Sequence, residues 1–196
     1  MKANSIGQAL YALGLLYCVF YPGSALAAHN WIEAYLECQQ RYDAGCTVDR
    51  GALTLAHETR TFIERMWTVN DQVNESMPYL GTEPDNTWSS WVPTGNCVPH
   101  ALKKRRLLRE LGVPAGALRF AVVHVAGKPV LEDHLLLLVY TDQHPNDPYV
   151  LDSRLILRAR LSLVLSSRQF DALALIQDAH GNWMSWERSA NVVSTR

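Results

Sequence analysis

Hydrophobic residues in the first half of the chain recur at intervals of three or four positions. This spacing predicts an amphipathic helix over about residues 54–74. A second helix is predicted over residues 97–111, because its apolar positions share one face and because Gly112 and Pro114 stop it. The segment between them, residues 77–96, is rich in proline, glycine and short polar residues, which indicates an irregular loop.

The second half of the chain has the pattern of β-strands. The run at residues 135–139 is apolar at consecutive positions, as expected of a central strand that is covered on both faces. His180, Gly181 and Asn182 have the composition of a hairpin turn. The predicted strands cover residues 118–125, 135–140, 149–151, 155–165 and 173–177. Helices followed by a mainly antiparallel sheet predict an α+β fold.

The N-terminus has the three-part order of a secretory signal peptide. Lys2 precedes an uncharged apolar stretch at about residues 6–21, and a Pro-Gly-Ser break leads to the small-residue site Ala25-Leu26-Ala27. An uncleaved membrane anchor is the alternative, but the stretch is shorter than the ~20 residues that a span requires. We therefore expect a signal peptide at residues 1–27, a single domain at residues 28–196, a periplasmic or secreted location and no stable membrane insertion after cleavage.

Length and charge limit the classes of function. The chain has 196 residues, with 18 basic and 19 acidic side chains and a formal net charge of −1. This length suits one hydrophobic core, and the near-neutral charge gives no reason to expect nucleic acid as a partner. The basic run at residues 103–106 is predicted to be a solvated helix face.

Three cysteines remain after the expected cleavage, because Cys18 is lost with the signal peptide. Cys38 and Cys46 bracket a short segment that can close as a loop. In an oxidising compartment we expect them to form a disulfide that stabilises the fold by ~2–3 kcal/mol. Cys97 is then a free thiol, for which the ordinary alternative is a small buried hydrophobic residue.

Cys97 lies where a nucleophilic cysteine is expected. Asn96 or Thr94 can cap the helix that Cys97 opens, and Pro99 is tolerated in a first turn. The unpaired N–H groups and the positive end of the helix dipole favour a thiolate at this position.

His134 and Asp152 are the candidate partners of this thiol. If residue 134 faces residue 152 across an antiparallel pair, then 137 opposes 149 and 140 opposes 146, which leaves a hairpin loop of ordinary length. A slip by one residue would send Asp152 to the opposite face. In the predicted triad His134 takes the proton of Cys97 and Asp152 orients the imidazole. The alternatives are a capping or core histidine and a turn aspartate.

An oxyanion formed at Cys97 needs hydrogen-bond donors. The backbone N–H of Cys97 and one upstream donor can supply them. Candidates for the upstream donor are Gln72, Asn70 and Trp88. The aromatic residues Trp88, Trp91 and Tyr79 either line a substrate cleft or serve as packing anchors.

Three stretches together resemble the bacterial transglutaminase-like cysteine proteinase family. They are Val69-Asn70-Asp71-Gln72-Val73-Asn74, then Gly95-Asn96-Cys97 running into Leu107-Leu108-Arg109-Glu110-Leu111-Gly112-Val113-Pro114, and Tyr149-Val150-Leu151-Asp152-Ser153. The strand opened by His134 falls where the family has its histidine and hydrophobic strand, and the match covers about residues 57–186. The resemblance implies a papain-like, transglutaminase-like fold, a triad of Cys97, His134 and Asp152, and a periplasmic endopeptidase. Relatives in this family release large surface adhesins and so control biofilm attachment.

The surroundings of the nucleophile depart from the family pattern. Relatives carry Asp-Cys-Glu-Asp-Tyr there, and these acids are implicated in calcium dependence, whereas this chain has Asn96-Cys97-Val98-Pro99-His100. A hard cation needs several oxygen ligands, so the loss of three acidic groups argues against calcium at this place, and no cofactor is expected to be required. A metal site of another kind would use Cys97, His100, His124 and His134, but the spacing of these residues matches no compact zinc pattern.

Two further hypotheses stay open beside an exported cysteine endopeptidase acting on a protein such as a surface adhesin. The same acyl-enzyme can be captured by an amine, which would make the protein an amide-transferring transglutaminase. The second of these hypotheses is a non-catalytic peptide- or protein-binding module with the same fold. Its support is the altered flank of Cys97, and retention of all three triad residues argues against it.

Overall fold

The computed structural model describes residues 22–48, 54–81, 88–128, 132–154, 158–167 and 169–185. Within these ranges the chain forms helices and one six-stranded antiparallel sheet, with strand order β4-β3-β2-β1-β5-β6. The α+β prediction is confirmed. The helices are α1 (Pro22–Gln40), α2 (Arg60–Ser76), α3 (Cys97–Glu110), α4 (Leu161–Ser166) and a 3-10 turn (Ala115–Ala117). The strands are β1 (Leu118–Val125), β2 (His134–Val139), β3 (Tyr149–Leu151), β4 (Ala159–Arg160), β5 (Phe170–Gln177) and β6 (Trp183–Ser185).

Strand β2 lies inside the sheet, and every residue in it is buried. Leu135 and Leu137 face a core shared with α1, α2 and α3, whereas Leu136 and Leu138 face a second core that includes residues of α4. The prediction of a central strand covered on both faces is confirmed. Each core side chain of this kind contributes ~1.5–3 kcal/mol through apolar burial.

Helix α3 begins and ends at local signals. Its N-cap is Asn96, whose side chain accepts a hydrogen bond from the backbone N–H of Val98 at 3.0 Å. At its end Gly112 has a φ of 86°, and the N–H of Val113 reaches the carbonyl of Leu108, as in a Schellman motif. The predicted helix is confirmed to within one residue.

Helix α2 begins later than predicted. Thr59 caps it by accepting a hydrogen bond from the N–H of Phe62, so the helix starts at Arg60 and not at residue 54. The preceding residues are extended, because Ala56 exchanges backbone hydrogen bonds with Tyr140 and Asp142. The segment that follows β2 therefore uses backbone groups of Ala56 that a longer helix would have bonded internally.

The prediction that residues 103–106 form a solvated helix face is wrong for three of the four residues, since the side chain of Arg106 is only 12% exposed and two others are fully buried. Lys104 is 0% exposed and Arg105 is 1% exposed. The guanidinium of Arg105 donates to the hydroxyl of Tyr35 and to the carbonyl of Gly45, which ties α3 to the N-terminal region. Arg106 packs over the ring of the exposed Trp91, 4.0 Å from its centre. The side chains of the basic run therefore point to different sides of α3, and these sides contact different neighbours.

The predicted strand at residues 155–165 is also wrong. Residues 155–157 lie outside the described ranges, and beyond them a two-residue strand leads into the helix α4. Leu161 and Val164, three positions apart, are both buried on the sheet, which is helical spacing. Strand β5 in turn starts at Phe170, earlier than predicted, and it ends in the predicted hairpin turn, where Gly181 has a φ of 80°.

The N-terminal region carries the predicted disulfide. Cys38, near the end of α1, is bonded to Cys46, and both are fully buried. The hydroxyl of Tyr35 donates to the carbonyl of Cys46 at 3.1 Å, so the closed loop is also held by a side chain of the helix. The predicted signal peptide lies largely outside the described residues, which begin at residue 22. In the part of the chain that is described, no helix has both the length and the apolarity to cross a membrane.

Candidate active site

The segment before Cys97 is held tightly against the start of α3. The N–H of Gly95 donates to the carbonyl of Pro78, and its own carbonyl accepts from the N–H of Leu80. A Cβ atom on Gly95 would stand 2.6 Å from the ring of Pro99, so only glycine fits at this close approach. The residues before and after Cys97 therefore fix its position, and Cys97 itself is buried with 6% exposure.

His134 and Asp152 form a buried pair. Nε2 of His134 contacts a carboxylate oxygen of Asp152, and each residue is 2% exposed. The predicted register is wrong by two residues, because residue 137 pairs with Leu151 and not with residue 149. A shift by two keeps every side chain on the same face of a strand, so the pair forms in spite of the error.

The imidazole of His134 has further neighbours. Its side chain is hydrogen-bonded to Cys97, and because Asp152 engages Nε2, the nitrogen that remains for the thiol is Nδ1. The other side of the ring stacks on Phe170, with ring centres 6.0 Å apart and planes at 10°. Cys97, His134 and Asp152 are thus brought together in one buried chain of contacts.

Electrostatics favour an ionised pair at His134 and Asp152. Burial alone pushes the pKa of His134 down, but the charge and hydrogen bond of Asp152, together with Cys97, outweigh burial and raise that pKa from 6.5 to about 10. Burial pushes the pKa of Asp152 up, but the charge and hydrogen bond of His134, with the charge of Lys104, bring it below its ordinary value. The imidazolium and the carboxylate therefore support each other.

The main chain of Asp152 is held by two side chains from different helices. Nζ of Lys104, in α3, donates to the backbone carbonyl of Asp152 at 2.8 Å. Nδ2 of Asn74, in α2, donates to the same oxygen at 2.9 Å. The residue after β3 is therefore anchored to both helices that pack beside the nucleophile.

Tyr79 and His100 form a wall beside this site. Their rings meet edge to face with centres 5.7 Å apart. Burial, with the charge of Cys97, raises the pKa of Tyr79 to about 12, although Arg154 opposes the shift. Burial, with the charge of Lys104 and Lys103, lowers the pKa of His100 to about 4, so this ring is neutral. Both of its ring nitrogens are buried without a hydrogen-bond partner among the described residues.

The candidates for an upstream oxyanion donor lie in three different environments. Asn70 is buried in α2 and donates to the carboxylate of Asp71 at 3.2 Å. Gln72 lies on the exposed face of the same helix. The indole of Trp88 is buried against Trp31 and Tyr35, as a packing anchor would be. The oxyanion role of all three stays a prediction.

The residues that follow Cys97 do not fit a calcium ion. Val98, Pro99 and His100 are buried and offer no carboxylate, and the neutral His100 lies near the cationic Lys104. His124, another of the four candidate zinc ligands, instead contacts Asp133 at 2.8 Å. Within the described ranges no group of three or more histidine, cysteine, aspartate or glutamate side chains is arranged to hold a metal.

Two polar residues at this site escaped the sequence prediction. Asn74 ends the Val69–Asn74 stretch, but the spacing of that helix alone does not tell which partner it meets. Lys104 carried a clearer signal, because it lies three residues after Ala101 and four before Leu108, which are apolar positions on the shared face of the predicted helix. Helical spacing places Lys104 between them.

Residues 27–157 match the family described as bacterial transglutaminase-like cysteine proteinase BTLCP. Solved structures of LapG from Legionella pneumophila are similar to this chain. The EGTA-treated form has 16% identity and a TM-score of 0.48, covering 66% of this chain and 75% of that chain. The calcium-bound form has 18% identity and a TM-score of 0.46, covering 65% and 75%. No curated protein sequence matches the chain.

Proposed function

This chain belongs to the bacterial transglutaminase-like cysteine proteinase family and is a cysteine peptidase, and we propose that it cleaves peptide bonds with a triad of Cys97, His134 and Asp152. The observation that carries the proposal is the double contact of His134, which meets Asp152 through Nε2 and is also hydrogen-bonded to Cys97. Acyl transfer by a thiol requires a nucleophile, a base that contacts the nucleophile, and a carboxylate that contacts and orients the base.

In the first half of the reaction Sγ of Cys97 attacks the carbonyl carbon of the scissile bond. The thiol proton already lies on Nδ1 of His134, whose charged form Asp152 stabilises, so the sulfur attacks as a thiolate and the carbonyl electrons move to oxygen, where the N–H of Cys97 at the start of α3 is a donor. When the tetrahedral intermediate collapses, the C–N bond breaks and His134 gives its proton to the leaving amine. Asp152 keeps the ring oriented and stabilises its charged form throughout.

In the second half a water molecule gives a proton to His134 and attacks the thioester carbon. The C–S bond breaks, the carboxylic acid leaves, and the sulfur of Cys97 departs as a thiolate beside the protonated His134, which restores the starting state. A primary amine in place of water would give an amide by the same steps, so an assay with and without an added amine distinguishes hydrolysis from amide transfer.

The substrate and compartment are part of the same proposal. We propose that the protein acts in the periplasm or outside the cell on a protein substrate such as a surface adhesin. The signal-like N-terminus and the Cys38–Cys46 disulfide support an oxidising compartment. Because residues 98–100 offer no carboxylate, we propose that the chemistry proceeds without calcium.

The test is the rate at which iodoacetamide alkylates Cys97 as a function of pH. We expect the wild-type protein to react rapidly well below the ~8.5 pKa of a free thiol, and His134→Ala to lose most of that rate. Mass spectrometry assigns the adduct to Cys97. A wild-type rate that follows an ordinary thiol and ignores His134 would overturn the catalytic proposal.

A second histidine–aspartate pair provides the matched control. His124 contacts Asp133 at 2.8 Å on the neighbouring strand, so His124→Ala removes an equivalent pair outside the triad. This variant should keep the wild-type alkylation profile. Labelling by a peptidyl epoxide should likewise require Cys97 and His134 but not His124.

A further inference from the structure

We propose that Lys104 is a positioning residue of the active site: from the interior of α3 it holds the backbone of Asp152, together with Asn74, so that the Asp152 carboxylate stays on His134. The inference rests on the proposed function, because it concerns the same triad. It gives a role to a lysine that the sequence pattern assigned to solvent.

The contacts define this role. Lys104 lies seven residues after Cys97, which is two helical turns and therefore the same face of α3. Its ammonium group reaches the carbonyl of Asp152 at 2.8 Å, and Asn74 reaches that oxygen at 2.9 Å. One helix thus carries the nucleophile at its first turn and the anchor of the distant carboxylate two turns later. Any change in the position of Asp152 relative to α3 must break this contact.

Folding alone does not require a lysine at this position. An ammonium group that is 0% exposed carries a large desolvation cost, and buried charges can often be replaced by apolar residues without loss of stability. The carbonyl of Asp152 would keep one donor, Asn74, if Lys104 were absent. The buried charge of Lys104 costs free energy, and the carbonyl of Asp152 can be hydrogen-bonded without it. These two facts point to a function of Lys104 in the site.

Several charged groups act on Lys104, and Lys104 acts on neighbouring titratable groups in turn. Asp152 and Asp71 are the acidic groups that favour its charged form, and burial opposes them and lowers its pKa to about 7. Lys104 in turn disfavours the charged form of His100 and helps to hold the pKa of Asp152 low, and Lys103 on the same helix adds to the field at His100. Loss of Lys104 should therefore raise the pKa of Asp152 and weaken its pair with His134.

The experiment compares Lys104→Met with Lys103→Met. Both remove one ammonium group from α3, but only the first removes a donor to Asp152. We expect Lys104→Met to lower Cys97 alkylation by iodoacetamide at pH 6.5 by about tenfold, and to move the acid limb of the rate profile to higher pH. With a peptidyl epoxide, the maximal inactivation rate should fall while the half-saturating concentration stays within about twofold.

Stability separates positioning from a structural role. We expect Lys104→Met to keep a Tm close to that of the wild type, because the interactions lost at Asp152 are offset by removal of a buried charge. Lys104→Arg, which keeps a charged donor, should recover part of the rate. In a double-mutant cycle with Asn74→Leu, the two losses should not add, because both donors act on one oxygen.

Each outcome decides between the proposals. If wild-type alkylation does not depend on His134, the proposed function fails. If it depends on His134 but Lys104→Met keeps the wild-type profile, the inference about Lys104 is overturned and the proposed function stands. A lower Tm with an unchanged rate profile would also overturn the inference, because it would assign Lys104 a purely structural role.

Discussion

His134 and Asp152 form a buried pair although they do not lie opposite each other in the sheet. Leu137 and Leu151 are paired, so Asp152 directly follows the last paired residue of β3, while His134 is the first residue of β2. The side chains close the remaining distance, and each helps to keep the other charged. The pair therefore depends on the sheet register, on the anchored backbone of Asp152 and on exclusion of water.

The pair should give the protein a characteristic dependence of stability on pH. The pKa of Asp152 is lowered from 3.8, so its contribution is present above about pH 4 and is lost as pH falls through the folded value. The pKa of His134 is raised from 6.5 to about 10, so its contribution is fully present below pH 6.5 and is lost as pH rises through about 10. The stabilisation is greatest between these limits.

Asp152→Asn tests this dependence. We expect the free energy of unfolding to fall by about 3 kcal/mol near pH 5.5, and the deficit to shrink towards pH 10. Urea unfolding at a series of pH values measures it. The control is Asp133→Asn, because burial raises the pKa of Asp133 and its pair with His124 should not give the same profile. A deficit independent of pH would contradict the assignment.

The disulfide should affect stability and not chemistry. Replacing both Cys38 and Cys46 by alanine should lower the free energy of unfolding by about 2–3 kcal/mol, because the unfolded chain regains the freedom of the open loop. Urea unfolding of the variant and of reduced wild-type protein should give the same deficit. The alkylation profile of Cys97 should stay unchanged at temperatures where the variant is folded, and a changed profile would mean that the loop takes part in the site.

Calcium should neither stabilise the protein nor activate Cys97. The residues after the nucleophile provide no carboxylate ligands, so millimolar calcium or a chelator should leave the alkylation rate and the Tm unchanged. Magnesium at the same ionic strength is the control for screening. A calcium-specific increase in Tm would demonstrate binding to the folded state and would contradict this prediction.

Export should remove residues 1–27. When the full chain is produced in a bacterium with a periplasm, mass spectrometry of the extracellular or periplasmic protein should find Ala28 as the first residue. Ala27→Leu should block processing, because the site needs small residues, whereas Leu26→Val should not. A protein found intact in the cytosol would contradict the proposed compartment.

Local patterns in the sequence determined much of the framework around the site. Asn96 and Gly112 mark the ends of the helix that begins at Cys97, and the apolar run of β2 marks a central strand. These features depend on groups a few residues apart, because capping bonds, backbone angles and side-chain alternation are local properties. The residues of the proposed triad could be singled out from their place in such elements, and the disulfide from the short spacing of its two cysteines.

Only the tertiary structure decided two features: the register between β2 and β3, and the burial of a charged side chain of α3. A period of two residues distinguishes the faces of a strand but not two registers that differ by two, so the pairing of residue 137 could not be read from the alternation of side chains. Helical spacing places Lys104 on the buried face of its helix, but whether its charge can be buried there depends on a carbonyl 48 residues away in sequence. Which surfaces meet is a property of the packed chain, and a lysine becomes an interior residue only where a distant acceptor lies within its reach.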